Sequence, residues 1–285
     1  MAPLGPIALF DSGEGGLTVL RTLRQQLPQY RFLYGADSGH FPYGEKSLDD
    51  VRQWFLAFLD FFVHRGASAV VIACNTATAA ALDEAKARSP VPVIGVVDPA
   101  ARRAAEVTKN GKIGVLSTES TYRSRLYPRT LKALNPALMV VAKPCPILVS
   151  MAENGDTEGY HVEDKVRQCV EPVLETGVDT IILGCTHFPH MRQAFNRVVG
   201  QAAAIIDPGE EVGVALAAAH IEVAPVQSAD DPITAWTTAD PGRFTEIARK
   251  LCPEIPLIAE PLMWQGPSLA APRASLLDNV PTNLG

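Results

Sequence analysis

No block of basic residues occurs in the 285-residue sequence, and acids outnumber bases 31 to 25, for a formal charge of −6. That balance argues against nucleic acid as the main partner. No apolar run reaches the roughly 18 residues of a membrane span, which argues against a membrane partner as well. The N-terminus lacks a basic region and meets Asp11 almost at once. It does not read as a secretory signal, and a cytoplasmic protein is expected. Cysteine is sparse: Cys74, Cys145, Cys169, Cys185 and Cys252 are odd in number and widely spread. That is the usage of cytosolic thiols rather than of a disulfide framework. The glycine spacing fits neither the dinucleotide fingerprint nor the P-loop, which argues against a nucleotide cofactor. The rest is ordinary for a soluble globular protein, 47% hydrophobic and 20% charged, with length for one large domain or two moderate ones.

One short element occurs twice. Val70-Val71-Ile72-Ala73-Cys74-Asn75-Thr76 and Thr180-Ile181-Ile182-Leu183-Gly184-Cys185-Thr186-His187 both pass from an apolar, β-branched run through a small residue to Cys. Polar residues able to cap a helix come next. The run predicts a buried strand and the polar residues a helix start. Both cysteines then stand at the carboxyl end of a strand, where open α/β sheets place their ligands. Unpaired N–H groups at the helix start favour anions and would push each thiol toward thiolate. One cysteine so placed is most simply structural; two in the same setting suggest duplicated half-sites.

Around these elements strands alternate with helices. Ile7–Phe10 predicts a first strand, and the glycines of Asp11-Ser12-Gly13-Glu14-Gly15-Gly16 permit a tight turn into a helix over Leu17–Leu27. Arg31–Tyr34 predicts a strand, Gly39 to Ser47 a loop, and the stripe Val51, Trp54, Phe55, Phe58, Leu59, Phe62, Val63 a helix with a core face. After a strand at Val93–Val97, Asp98-Pro99 reads as a crossover and the pattern restarts with strands at Ile113–Leu116 and Leu138–Val141. Cys145-Pro146 opens a loop carrying Glu153-Asn154-Gly155, and a helix from about Val162 to Leu174 precedes the second cysteine strand. Asp207-Pro208 mirrors the earlier crossover and returns the chain to its first half, with helices at Gly213–Ile221 and Phe244–Leu251. The expected architecture is α/β: two pseudo-symmetric, three-layer domains with mostly parallel sheets and the active site in the cleft between them. Residues 1–98 plus 208–285 form one domain and 99–207 the other. The tail from Cys252-Pro253 holds six prolines and little periodicity, and reads as an irregular wrap.

The polar residues allow more than one chemistry. Asp11, at a turn after a strand, would repel phosphate; it suits either plain capping or the orientation of an ammonium or an acid–base neighbour. Cys185, His187 and His190 could be read as a metal cluster, but no second Cys or His pair completes a closed ligand set, so no metal is expected. His187, two residues from a candidate thiolate, fits a proton-handling partner. His190 reads as a surface or capping residue, and Cys145, Cys169 and Cys252 as buried small residues. A Cys–His hydrolase would need one nucleophile and leave the twin elements unexplained. Two acids of one type on opposite sides of a ligand suit removal of a proton from carbon on one face and delivery on the other.

Four motifs together resemble the glutamate racemases of the aspartate/glutamate racemase superfamily. They are Asp11-Ser12-Gly13-x-Gly15-Gly16-Leu17, Pro42-Tyr43-Gly44-x-Lys46-Ser47, Ala73-Cys74-Asn75-Thr76-Ala77 and Gly184-Cys185-Thr186-His187-Phe188-Pro189. A weaker echo lies in Thr237-Thr238-Ala239-Asp240-Pro241-x-x-Phe244. The resemblance implies an enzyme without cofactors that interconverts L- and D-glutamate, supplying D-glutamate for peptidoglycan synthesis, cell-wall biogenesis and cell shape. It implies Cys74 and Cys185 as paired acid and base, Asp11 and His187 as their assistants, and Glu153 near the second half-site. It places Ser12, Tyr43, Gly44, Asn75, Thr76, Thr121, Thr186 and His187 on the substrate, and leaves room for a homodimer. One departure is visible: Ser120 stands where the family usually has Gly before the threonine at 121. An aspartate or other amino-acid racemase of the superfamily, or a non-catalytic two-lobed amino-acid binding protein, are the alternative readings.

Overall fold

The computed structural model describes residues 5–219, 221 and 231–271. The first half of the chain alternates β1 (Ile7–Asp11), α1 (Leu17–Gln26), β2 (Phe32–Ala36), α2 (Leu48–His64), β3 (Ala69–Ile72), α3 (Asn75–Arg88) and β4 (Val93–Gly95). Helix α4 (Val97–Val107) leads into β5 (Lys112–Ser117), α5 (Glu119–Ser124), α6 (Leu126–Leu134), β6 (Met139–Pro144), α7 (Pro146–Glu153), α8 (Tyr160–Leu174), β7 (Thr180–Gly184), α9 (Arg192–Val199) and β8 (Ala204–Ile206). The chain then returns through α10 (Pro208–Ala218) to β9 (Ile233–Thr237), α11 (Pro241–Leu251), β10 (Leu257–Pro261) and a hairpin, β11 (Met263–Gln265) with β12 (Ser268–Ala270).

Two parallel sheets result, ordered β10-β9-β2-β1-β3-β4 and β6-β5-β7-β8. Within both, the second strand of each half lies outside the first, and the third and fourth lie in turn on the other side. The repeat of that order makes β3 and β7 topological equivalents, with a cysteine just beyond each. Strands buried on both faces need apolar side chains on both, which is why Ala69–Ile72 and Thr180–Gly184 are fully buried. One core cluster joins the sheets through α1, α4, α6 and α10, including Leu20, Ala100, Leu131 and Leu216. The outer face of the first sheet packs on α2 and α3, and that of the second on α7, α8 and α9. Helix α2 starts at Ser47, whose side chain accepts from Asp50 N at 3.1 Å. It lays Phe58 and Phe62 across β2 at Gly35, where a side chain would stand 2.5 Å from the Phe62 ring.

Three segments differ from expectation, each for a physical reason. Asp98-Pro99 lies inside α4 rather than in a crossover, because a proline within the first helical turn forfeits no intrahelical bond. Cys145-Pro146 opens α7 rather than a loop, Pro146 serving at the first helical position. Glu153 is therefore the last residue of a helix. The tail is not irregular up to residue 271: β10 pairs in parallel with β9 from Leu257↔Ile233 to Pro261↔Thr237. It escapes the sequence pattern because it is an edge strand with prolines at its borders, a position that needs no strict alternation. The expected wrap from residue 272 on lies outside the described residues.

Leu262, directly after β10, is 2% exposed and joins the aromatic cluster of the first sheet. Leu262→Ala should therefore cost about 2–5 kcal/mol in urea unfolding, the range for a core leucine; a draped tail would lose almost nothing.

Candidate active site

The carboxyl ends of both sheets contribute to one cavity of about 60 Å³. Its walls carry Ser12 after β1, Cys74, Asn75 and Thr76 after β3, Thr118 after β5, and Cys185, Thr186 and His187 after β7. Tyr43 and Gly44 close one side. The two candidate thiols thus face a common space from equivalent positions in the two sheets. Asp11, Thr121 and Glu153 stand one layer behind and reach the cavity through neighbours.

Cys74 is the N-cap of α3, and its sulfur accepts from Ala77 N at 3.5 Å. The thiol lies 3.8 Å from Ser12 Oγ. The expected drift toward thiolate does not occur at this cysteine. Burial, with the Asp11 carboxyl group second, pushes the Cys74 thiol up to about 12, and the Ala77 N–H offsets only part of that. Asp11 ends β1 fully buried, accepting from Gly13 N at 3.2 Å and Gly16 N at 3.0 Å. From the other half of the molecule, Thr186 Oγ1 donates to it at 3.2 Å. Burial raises Asp11 to about 6 despite the opposing pull of His187.

Cys185 has no helix start of its own. A short 3-10 turn, Phe188–Met191, precedes α9, so this sulfur lacks the α-helical cap that Cys74 has. Its neighbour is His187 Nδ1 at 3.7 Å, and His187 Nε2 pairs closely with the Glu153 carboxylate. Burial would depress His187, yet the hydrogen bonds with Cys185 and Glu153 outweigh it and hold the imidazole well above its ordinary range. The first glycine-rich turn fits against this pair. A side chain at Gly15 would stand 2.7 Å from the His187 ring, and one at Gly16 would stand 2.5 Å from Asp11 Cβ. Neither residue has positive φ; close approach of the two halves demands the size of Gly15, and packing on Asp11 and the Tyr34 hydroxyl within the first half demands that of Gly16.

Several neighbours escaped sequence reasoning. Glu14 occupies the open position of its motif, is 4% exposed, and has Ser38 Oγ donating at 3.3 Å. Burial, with Glu153 second, raises it to about 7. Thr76 Oγ1 lies 3.0 Å from Thr118 Oγ1 and 3.1 Å from Thr121 Oγ1, a hydroxyl cluster spanning both halves. Tyr127 donates to Asn75 Oδ1 at 2.7 Å. Ser120 Oγ lies within 2.9 Å of the Gly44 carbonyl and 2.8 Å of that of Lys46, tying α5 to the loop of the other half. Only the topology brings these residues together, so no local signal marks Glu14, Thr118 or Tyr127 as part of the site.

His190 is half-buried rather than exposed: its Nε2 is buried without a hydrogen-bond partner among the described residues, and burial pulls it down to about 3. Among the described residues, no three His, Cys, Asp or Glu side chains form a group that could hold a metal ion. Cys145, Cys169 and Cys252 are buried and free, as expected. Chemically, the cavity offers two thiols, each backed by a group that can take or return a proton.

The family model described as Asp/Glu/Hydantoin racemase matches residues 15–217. A glutamate racemase of Symbiobacterium thermophilum is 45% identical over 251 residues, spanning 87% of this chain and 91% of its own. The solved structure of a glutamate racemase isoform from Bacillus anthracis superposes with a TM-score of 0.85 at 32% identity, covering 93% of this chain and 98% of its own. That of Francisella tularensis glutamate racemase in complex with D-glutamate gives a TM-score of 0.81 at 26% identity, over 92% and 97%.

The raised Glu14 makes a sign-determined prediction. Its folded value, about 7 against 4.5, favours the folded state below pH 4.5, and that contribution is lost as pH rises toward 7. Glu14→Gln removes the loss. Relative to wild type, the variant should be more stable at pH 8 than at pH 5, by up to a few kcal/mol, since a tenfold change in proton affinity corresponds to about 1.4 kcal/mol. Urea titrations at the two pH values read it directly.

Proposed function

Since the chain belongs to the Asp/Glu/hydantoin racemase family, with glutamate racemases as its relatives, we propose that it interconverts L- and D-glutamate by proton transfer between Cys74 and Cys185. The observation that carries the proposal is the pair of thiols lining one cavity from equivalent positions after β3 and β7.

The α-proton of an amino acid is a far weaker acid than any thiol, so the transition state needs help. In each turnover one sulfur, as thiolate, takes the α-proton, and the other, as thiol, delivers its proton to the opposite face. The first sulfur ends protonated and the second as thiolate, ready for the reverse direction. His187, held between Cys185 and Glu153, takes the proton of Cys185 and makes its thiolate accessible. Cys74, kept protonated by burial, is the delivering acid in that direction; Asp11 beside it serves the return. Negative charge developing on the substrate meets preorganised donors: the N–H groups at the start of α3 and the side chains of Ser12, Asn75, Thr76 and Thr186. Tyr43, Gly44 and Thr121 belong to the same binding wall or its support. No cofactor enters this scheme.

We assign residues 1–98 with 208–285 and residues 99–207 to two lobes that close on the substrate and exclude water, which strengthens each of these interactions. Ser120 ties the two lobes together, donating to the Gly44 and Lys46 carbonyls. D-Glutamate is a peptidoglycan building block, so the proposed role extends to cell-wall synthesis in the cytoplasm.

Cys74→Ala and Cys185→Ala should each lower racemisation in both directions by roughly 10²–10⁴-fold, the worth of a positioned acid or base. Cys145→Ala, Cys169→Ala and Cys252→Ala should leave it near wild type. In heavy water, product formed early from L-glutamate should carry deuterium at the α-carbon while recovered substrate carries almost none; label in both would indicate a single base. Glutamate should be strongly preferred to aspartate, whose shorter chain leaves buried donors unpaired. Chiral analysis of both amino acids measures that preference, and equal efficiency would point to a broader racemase.

A further inference from the structure

Asp37 comes directly after β2 and is fully buried. Its carboxylate gathers four side chains, two from the loop that follows it and two from much later in the chain. Oδ2 accepts from the Tyr43 hydroxyl at 2.6 Å and lies 2.9 Å from His40 Nδ1. Oδ1 accepts from the Thr238 hydroxyl at 2.6 Å and from the Trp264 indole N–H at 3.1 Å. Four partners satisfy both oxygens, the condition under which a buried carboxylate is tolerated. They also fix its orientation, since each oxygen is held from two sides.

The four partners come from two parts of the chain. His40 and Tyr43 lie in the loop whose end, Tyr43 and Gly44, forms a wall of the cavity. Thr238 and Trp264 belong to the C-terminal third, just beyond β9 and within the hairpin. Aromatic contacts reinforce the junction: His40 stacks on Trp54 at 4.0 Å, and Trp264 lies 5.2 Å from His40 and 6.2 Å from Phe58 between ring centres. The backbone is tied as well, with Gly39 N donating to Thr238 Oγ1 at 2.9 Å and Leu262 N to Thr237 O at 2.8 Å. Burial, then the Asp37 carboxylate, holds the Tyr43 phenol well above its ordinary value, so it remains a donor. Without Asp37 the Tyr43 hydroxyl would lose the acceptor that aims it.

We propose that Asp37 and Trp264 are positioning residues for the reaction, the C-terminal hairpin fixing the Tyr43–Gly44 wall through the Trp264 indole and the Asp37 carboxylate. The inference rests on the function proposed above. It concerns binding rather than proton transfer: a wall set loosely must be ordered by the substrate, which weakens ground-state and transition-state binding alike.

Trp264→Phe removes one N–H while keeping a ring against His40 and Phe58. Asp37→Asn keeps the shape but leaves one accepting oxygen. Steady-state racemisation and thermal unfolding are measured on both variants and wild type. Trp264→Phe should raise KM for glutamate roughly fivefold, the worth of one hydrogen bond, with kcat within about twofold of wild type and little change in the unfolding midpoint. Asp37→Asn should raise KM further; if it fails to fold, Trp264→Phe decides alone. An unmoved KM in Trp264→Phe, whether or not its midpoint falls, would mean that the hairpin only braces the sheet, and would overturn the inference. Wild-type protein without glutamate turnover would instead overturn the functional reading, and this inference with it.

Discussion

The carboxyl group of Asp11 is held by both halves of the molecule at once. Gly13 and Gly16 donate to it from its own loop, and Thr186 donates from the far side, between Cys185 and His187. That three-way contact requires the glycine turn to lie flat against the His187 ring, which in turn requires Gly15. It also fixes the distance between the carboxyl ends of the sheets, and hence between the two thiols. The duplicated sheet order supplies two equivalent platforms; this bridge makes them one site. Thr18 adds a second tie, its hydroxyl reaching the Thr186 carbonyl at 3.2 Å. A polar bridge of this kind has directions that an apolar contact lacks, so it sets register between two bodies that hydrophobic packing alone would leave free to slide.

Burial decides the electrostatics around it. Asp11, Glu14 and Cys74 are all shifted toward their neutral forms, with desolvation the largest cause in each. Two backbone N–H bonds to Asp11, or one to Cys74, are too weak to reverse that. His187 is the exception, because Cys185 and Glu153 both face it and their hydrogen bonds outweigh its desolvation. The cavity therefore carries charge chiefly on the His187 side. In the proposed reaction, an amino acid entering with its own ammonium and carboxylates would change that balance and so help to ionise a sulfur.

The parts legible in the sequence were those written locally. Apolar runs ending in cysteine gave both key strands, since a strand buried on two faces cannot be disguised. The stripe on α2 was equally plain, whereas Asp207-Pro208, read as a crossover, is the cap and first residue of α10, which starts before the expected Gly213. Legibility failed where meaning depended on what lay across the fold. Prolines at 99 and 146 look like breaks, yet sit where helices tolerate them. The edge strand β10 has too little burial to impose alternation. Glu14 and Asp37 look like solvated loop acids, and only the third dimension shows one facing Glu153 and the other filled by four partners. Even for Cys74, reading the helix start as an activating field overlooked how strongly burial opposes charge.

The two half-sites are equivalent in topology but not in chemistry: Cys74 has a helix N–H and Asp11, Cys185 has an imidazole and a carboxylate. In the proposed reaction that inequality has a bounded effect. Enantiomers in water have equal free energies, so the equilibrium constant is one and kcat/KM must be the same in both directions. Whatever His187 contributes to the thiolate of Cys185 cannot favour one hand at equilibrium. It can only divide the barrier differently, making one direction faster at saturation and correspondingly weaker in binding. An asymmetric pair is therefore compatible with a racemase, provided that both sulfurs return to their starting protonation between turnovers. In that scheme Asp11 would return a proton to Cys74 and His187, paired with Glu153, would take one from Cys185, and exchange with water would then restore both groups before the next turnover.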